Sequence, residues 1–336
     1  MNLSLKRRRF GQMMIASATT AAMANMADKT LAQSSSSKLV GFSLASNNLK
    51  VGLSVGGLLS VDVSLKTDLI NTTPQIVIQT LDLLSGKLLS TLEVASKLVT
   101  NLRTSTESSP KALYSQTYER ITDATTLTDG RLVISSVTST QKGNYNKIVI
   151  FDAKTNSYQE GIKVSGFRSN NATIESVMAM KDNRLLSIIS FGEGVPPFYF
   201  AVIDSTTGKI SAGTELALPD LSPDERFSNL AQAPDGKIYA TNIDREGNTN
   251  IVQIDLKNRS LLTGKAKIVP YVQLRLEKEA LRNDLLSMAF SSSGQLYALA
   301  APNGEKTKSL YTIDMKTGEL QYLTEFLVEQ IAFSFY

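Results

Sequence analysis

The chain has 336 residues, 35 basic and 31 acidic, with 42% hydrophobic content and no cysteine, histidine or tryptophan. Those absences exclude disulfides, iron–sulfur clusters, thiolate or imidazole metal sites, and catalysis of the Ser-His-Asp or Cys-His kind. Any chemistry falls to carboxylates, Lys, Tyr, Ser, Asn or an oxygen-ligated cation, and the length suits one large domain or two smaller ones.

In chain order, KRRRFGQMMIASATTAAMA (6–24) comes first. Lys6, Arg7, Arg8 and Arg9 precede a mild apolar stretch, Met13 to Ala24, too short to span a bilayer as a helix. Arg7, Arg8 and Phe10 resemble the twin-arginine export signal; an ordinary secretory signal is the alternative. The resemblance implies passage through the twin-arginine machinery into the periplasm or an equivalent exported compartment, with no stable membrane insertion after cleavage. Ala24, Ala27 and Ala32 each suit a cleavage site. Ala32 is favoured, because residues 33–37 then form a flexible Ser-rich start to a mature domain spanning 38–336. Residues 1–32 hold five basic side chains (Lys6, Arg7, Arg8, Arg9, Lys29) and one acidic (Asp28), which leaves 30 of each sign beyond them. That balance gives no electrostatic basis for a nucleic-acid partner.

An internal repeat follows. An apolar run, an Asp and a turn recur as IVIQTLDLLSGKL (76–88), IVIFDAKTNSY (148–158), FAVIDSTTGKI (200–210), IVQIDLKNRSL (251–261) and LYTIDMKTGEL (310–320). Upstream of each lies a second hairpin pattern, with turns at Gly57, Gly130, Asn183, Gly236 and Gly294. Each unit reads as four antiparallel strands, a to d, in meander order. The repeated Asp82, Asp129, Asp152, Asp204, Asp235, Asp255 and Asp314 read as turn residues that bond their own following backbone. VEQIAFSFY (328–336) has the pattern of a strand a and SSKLVGFSLAS (36–46) that of a strand b. Their pairing would close a ring in one shared blade and remove its exposed edges. The expected fold is therefore an all-β propeller of four-stranded antiparallel blades, six in number, with five and seven as alternatives.

These units resemble the secreted β-propellers of the NHL-type and gluconolactonase-like superfamily, with LAQAPDGKIYATN (230–242) the best copy. In such a ring, the starts of strand a and the b–c loops share one face. The residues six before the first residue of each a–b turn pair (Gly56, Asp129, Asp182, Asp235 and Ser293) would circle the channel mouth: Lys50, Asp123, Ser176, Asn229 and Ser287, with Gln330 by analogy. A ring of this kind suits a small polar ligand or a protein partner. The resemblance also implies an alternative, a divalent-metal-dependent lactone or ester hydrolase. Its cation, such as Ca²⁺, would be held by Asp123, Glu175 and Asn229. Glu193-Gly194-Val195-Pro196 is similar to that family's Glu-Gly-Pro. Two loops on the same face complete the candidates: DREGNTN (244–250), with oxygen side chains at alternate positions, and FGEGVPPFYF (191–200), whose aromatics could anchor a partner. The sequence favours a binding module over an enzyme and names no certain cofactor.

Overall fold

The computed structural model describes residues 38–44, 75–95, 118–140, 142–152, 154–155, 157–159, 161–192, 194–259, 265–282, 285–302 and 307–334. These form a β-propeller, with no α-helix among the described residues. The first blade joins the two ends of the chain, in the order Gln330–Ser334, Lys38–Leu44, Gln75–Asp82 and Lys87–Ala95 from the axis outward. Phe42 sits opposite Gln330, and Lys38 opposite Ser334, in an antiparallel ladder. The pairing of 328–336 with 36–46 expected from the sequence is thus present over Gln330–Ser334 and Lys38–Phe42.

The second blade is Tyr118–Thr126, Leu132–Thr140 and Gly143–Asp152, with Ser157–Tyr158 and Ile162–Lys163 sharing the outer position. The third is Thr173–Ala179, Leu185–Gly192, Val195–Ile203 and Leu216–Ala217. The fourth is Arg226–Gln232, Ile238–Ile243, Thr249–Arg259 and Ala266–Gln273, and the fifth Ser287–Phe290, Leu296–Ala300, Ser309–Ile313 and Leu320–Glu325.

Five apolar cores fill the five gaps between neighbouring blades. Phe42 and Ile78 meet Ile121 and Ile134 between blades 1 and 2, and Ile148 meets Ile174 and Tyr199 between blades 2 and 3. Phe198 and Phe200 meet Phe227 and Val252 between blades 3 and 4, and Ile251 meets Leu296 and Tyr311 between blades 4 and 5. Leu299 and Leu310 meet Leu39 and Phe333 between blades 5 and 1. Both faces of each middle strand are therefore covered, which is why LVISSVTST (132–140) is buried over its first seven residues rather than at alternate ones. The inner strands also touch one another in cyclic order, so the described blades close on themselves.

The blade count among the described residues is five, where the sequence favoured six. The reason is local: IVIQTLDLLSGKL supplies the two outer strands of the shared blade and not those of a further unit. The hairpin expected at 49–65, with Gly57 and Lys50, lies outside the described residues.

The turns carry the expected chemistry. Gly130, Asn183, Gly236 and Gly294 all take positive φ, at 87°, 60°, 84° and 84°, as the a–b hairpins require. In the c–d turns, Asp82, Asp204 and Asp314 accept from the amide two residues on at 2.8–3.0 Å, and Gly86, Gly208 and Gly318 each donate back to the Asp carbonyl at 2.8 Å. Asp255 departs from this pattern. It pairs with Lys267 inside a strand that runs on to Arg259. Four residues after it stands Arg259 instead of Gly, so the left-handed residue that ends the other turns is missing.

Candidate binding site at the channel mouth

The inner strands begin at the mouth of the channel and are irregular there. In blades 2, 3 and 4 the pairing with the second strand skips Thr122, Glu175 and the Asn229–Leu230 step. Asn229 takes φ 52°, a left-handed conformation that Asn tolerates better than most side chains. Such bulges bend a strand and re-aim its side chains.

Five of the residues chosen from the sequence occupy equivalent places, one per blade, and all five are buried. They form a continuous belt of hydrogen bonds around the axis. Asp123 accepts from the Ser176 hydroxyl, from Val177 N at 2.8 Å and from Ala124 N at 2.8 Å. Ser176 Oγ accepts from Leu230 N at 2.6 Å, and Asn229 Nδ2 donates to Leu285 O at 2.6 Å. Ser287 Oγ accepts from Ile331 N at 3.0 Å, and Gln330 Nε2 donates to Thr122 O at 3.2 Å, returning to blade 2. Each side chain thus stitches its blade to the next. Beside Asp123 the neighbouring inner strand presents Gln330, the place given to Lys50 from the sequence; Lys50 itself lies outside the described residues.

Burial of Asp123 pushes its carboxyl up to about 7, against the pull of its three donors. Its oxygens are engaged within the protein, and it does not line the cavity above the belt.

That cavity has a volume of about 680 Å³ and is bounded by strand a starts and b–c loops. One charged side chain per blade reaches it: Glu329 from blade 1, Arg120 from blade 2, Glu175 from blade 3, Arg226 from blade 4 and Lys308 from blade 5. Glu175 Oε1 accepts from Ser190 Oγ at 2.6 Å and Gly194 N at 2.7 Å, and its Oε2 lies 3.7 Å from Arg120. Burial raises the Glu175 carboxyl, opposed by those donors and by Arg120. Burial likewise raises Glu329, opposed chiefly by the charge of Lys308.

As a set, Asp123, Glu175 and Asn229 do not fit a cation. Asp123 and Glu175 are turned to protein donors, and Asn229 points its amide nitrogen at Leu285 O. Among the described residues no group of three or more His, Cys, Asp or Glu is placed to hold a metal ion.

The two candidate loops resolve into structure. Asp244 accepts from Glu246 N, Asn248 N, Asn248 Nδ2 and Asn250 Nδ2 at 2.9–3.2 Å, a self-contained turn. Phe198, Tyr199 and Phe200 are core residues, shared between the two gaps flanking blade 3. Glu193 lies outside the described residues, while Gly194 serves Glu175.

Arg120, Arg226 and Lys308 were not singled out from the sequence. Arg120 precedes the belt position by three residues, an odd offset that places a side chain on the opposite face of a regular strand. The bulge at Thr122 adds a residue and restores Arg120 to the belt's face. A common offset of three from the belt position, shared by Arg120 and Arg226, was the available signal.

No family model matches the sequence, and no curated protein matches it significantly. Solved structures with a similar chain course include a mutant of the GH43 protein BlXynB from Bacillus licheniformis, at 13% identity and TM-score 0.46, covering 76% of this chain and 53% of that one. The Hadza microbial sialidase Hz136 is 10% identical with TM-score 0.44, over 79% of this chain and 55% of its own. The PQQ-bound aldose sugar dehydrogenase of Streptomyces coelicolor is 11% identical with TM-score 0.37, over 77% and 81%. All three are β-propeller proteins, and the likeness concerns the fold alone.

Proposed function

We propose that this chain is an exported β-propeller that binds a ligand or partner through its channel-mouth face. The supporting observation is the second ring: five charged side chains, one from each blade, around a cavity within the ~300–1,000 Å³ range of small-molecule clefts. The belt beneath it consists of buried groups that bond to one another's blades, a structural role. The ring above it is where polar groups converge on open space. Residues 1–32 act in this reading as a twin-arginine export signal, on the pattern of Arg7, Arg8 and Phe10, and deliver the domain to the periplasm or an equivalent compartment.

The rival class is a divalent-metal-dependent hydrolase of lactone or ester type. It receives less support, because the carboxylates that would bind the cation are already held by protein donors. The deciding experiment is amide chemical-shift mapping of the protein against a panel of small polar compounds. Binders should move the amides of Ser139, Gly194, Ser228 and Leu286 at the mouth. Shifts confined to the opposite face, at Gly130, Gly236 and Gly294, would overturn the reading.

A further inference from the structure

We infer that the channel mouth takes a small organic anion, whose oxyanion group pairs with Arg226; this rests on the reading of that face as the binding face. The charges at the mouth do not cancel. Arg120 lies 3.7 Å from Glu175, while the charge of Lys308 opposes the rise of the Glu329 carboxyl although the two form no ion pair among the described residues. The fifth charged side chain, Arg226, has no carboxylate within ion-pair distance among the described residues. Arg226 is also exposed, as the first residue of the blade 4 inner strand. A planar fork of donors that no described carboxylate compensates matches a carboxylate or a phosphate better than any neutral group.

The carboxylates do not favour a cationic ligand. Glu175 has its Oε1 taken by two donors and its Oε2 by Arg120, and Glu329 is offset by the charge of Lys308 and by the Leu44 and Ile121 backbone. A second observation concerns the polar part of the ligand. Gln330 lines the same cavity, is 6% exposed, and its Oε1 has no hydrogen-bond partner among the described residues, while its Nε2 is held by Thr122 O. A buried acceptor without a donor is costly, and a ligand hydroxyl would satisfy it after a small shift of the amide. Leu285 and Leu286 supply an apolar side to the cavity. The ligand class is therefore a small hydroxylated molecule bearing one oxyanion group.

The test uses four compounds of one skeleton: glucose, gluconate, glucose 6-phosphate and glucosamine, titrated into the full chain by calorimetry at constant ionic strength, with inorganic phosphate alongside. Gluconate or glucose 6-phosphate should bind while glucose and glucosamine do not, and the two anions separate a carboxylate from a phosphate site. Arg226→Ala should weaken that binding about tenfold or more, with Arg226→Lys intermediate and the unfolding midpoint unchanged in both. Binding of glucose or glucosamine as tight as that of the anions, with mouth amides shifting, overturns the anion and keeps the face. Anion binding indifferent to Arg226→Ala overturns the anchor. No binding by any compound, with an acidic partner protein instead protecting the mouth amides, overturns the small ligand. No binding and no partner overturns the face as well.

Discussion

The hydroxyl of Ser176, on the inner strand of blade 3, donates to the carboxylate of Asp123 on the inner strand of blade 2. The same oxygen accepts from Leu230 N in blade 4. One small side chain therefore ties three blades at the axis. Ser176→Ala leaves a buried amide and a buried carboxylate oxygen each short of a partner, and should cost about 2–4 kcal/mol. Urea unfolding should show the loss as a lower midpoint with an unchanged slope. A cost near zero would mean that the belt is redundant.

Asp123 sets a pH dependence. Its carboxyl stands at about 7 in the fold against an ordinary 3.8, so between those values the folded chain keeps a proton that the unfolded chain has lost. The contribution of this group to stability is greatest below 3.8, falls as pH rises and is lost above 7. Glu175 and Glu329, also raised by burial, act in the same direction. Asp123→Asn removes the dependence at one position. The stability gap between the natural chain and Asp123→Asn should be widest near pH 4 and narrow towards pH 8. A gap that widens with pH would show the carboxyl to be held low by its three donors.

Two turn glycines separate local from long-range constraint. Gly236 has φ 84° and open space around it, so Gly236→Ala bears only the left-handed penalty of about 1–2 kcal/mol. Gly318 has φ 76°, and a Cβ there would run into the Gln273 carbonyl oxygen of blade 4, against which the turn packs through Arg275 N to Gly318 O at 2.9 Å. Gly318→Ala should cost at least about twice as much as Gly236→Ala. Thermal unfolding of the two variants side by side gives the comparison.

The metal reading makes its own prediction. Because Asp123 and Glu175 are committed to protein donors, the unfolding midpoint should not move on chelation or on adding Ca²⁺, Mg²⁺, Mn²⁺ or Zn²⁺. A saturable rise with one cation would restore the hydrolase reading.

Export is tested at Arg7 and Arg8. Replacing both with Lys keeps the charge of the n-region but removes the paired guanidinium groups. Precursor should accumulate inside the cell if the twin-arginine reading holds. Unchanged export would point to an ordinary secretory signal, for which positive charge alone suffices.

Much of the ring was legible because its rules are local. The hairpin glycines, the Asp turns and the pairing of 330–334 with 38–44 follow from β-type runs and turn residues. Counting six back from each turn found the belt, since hairpin length fixes the register. The count did not reveal what the belt does, because Asp123 and Ser176 meet across 53 residues of sequence. Arg120 was hidden by a bulge, which shifts the alternation without leaving a mark in composition. Lys308 was hidden because it sits in a b–c loop, and no repeat pattern governs those loops. The sixth blade was expected because the hairpin at 76–88 looks like the others; only its partner strands distinguish it.

Blade 1 sets order along the chain against order in space. Gln330–Ser334, the last of the described strands in chain order, takes the innermost place in the blade that Lys38–Leu44 shares. Ile331 and Phe333 complete the gap towards blade 5, and Ala332 completes the gap towards blade 2. A chain that stops short of these residues is not a slightly smaller propeller but an open arc with two bare flanks, the kind of surface that quality-control proteases recognise. The circle therefore exists only once two stretches far apart in sequence, 38–44 and 330–334, have met in one sheet.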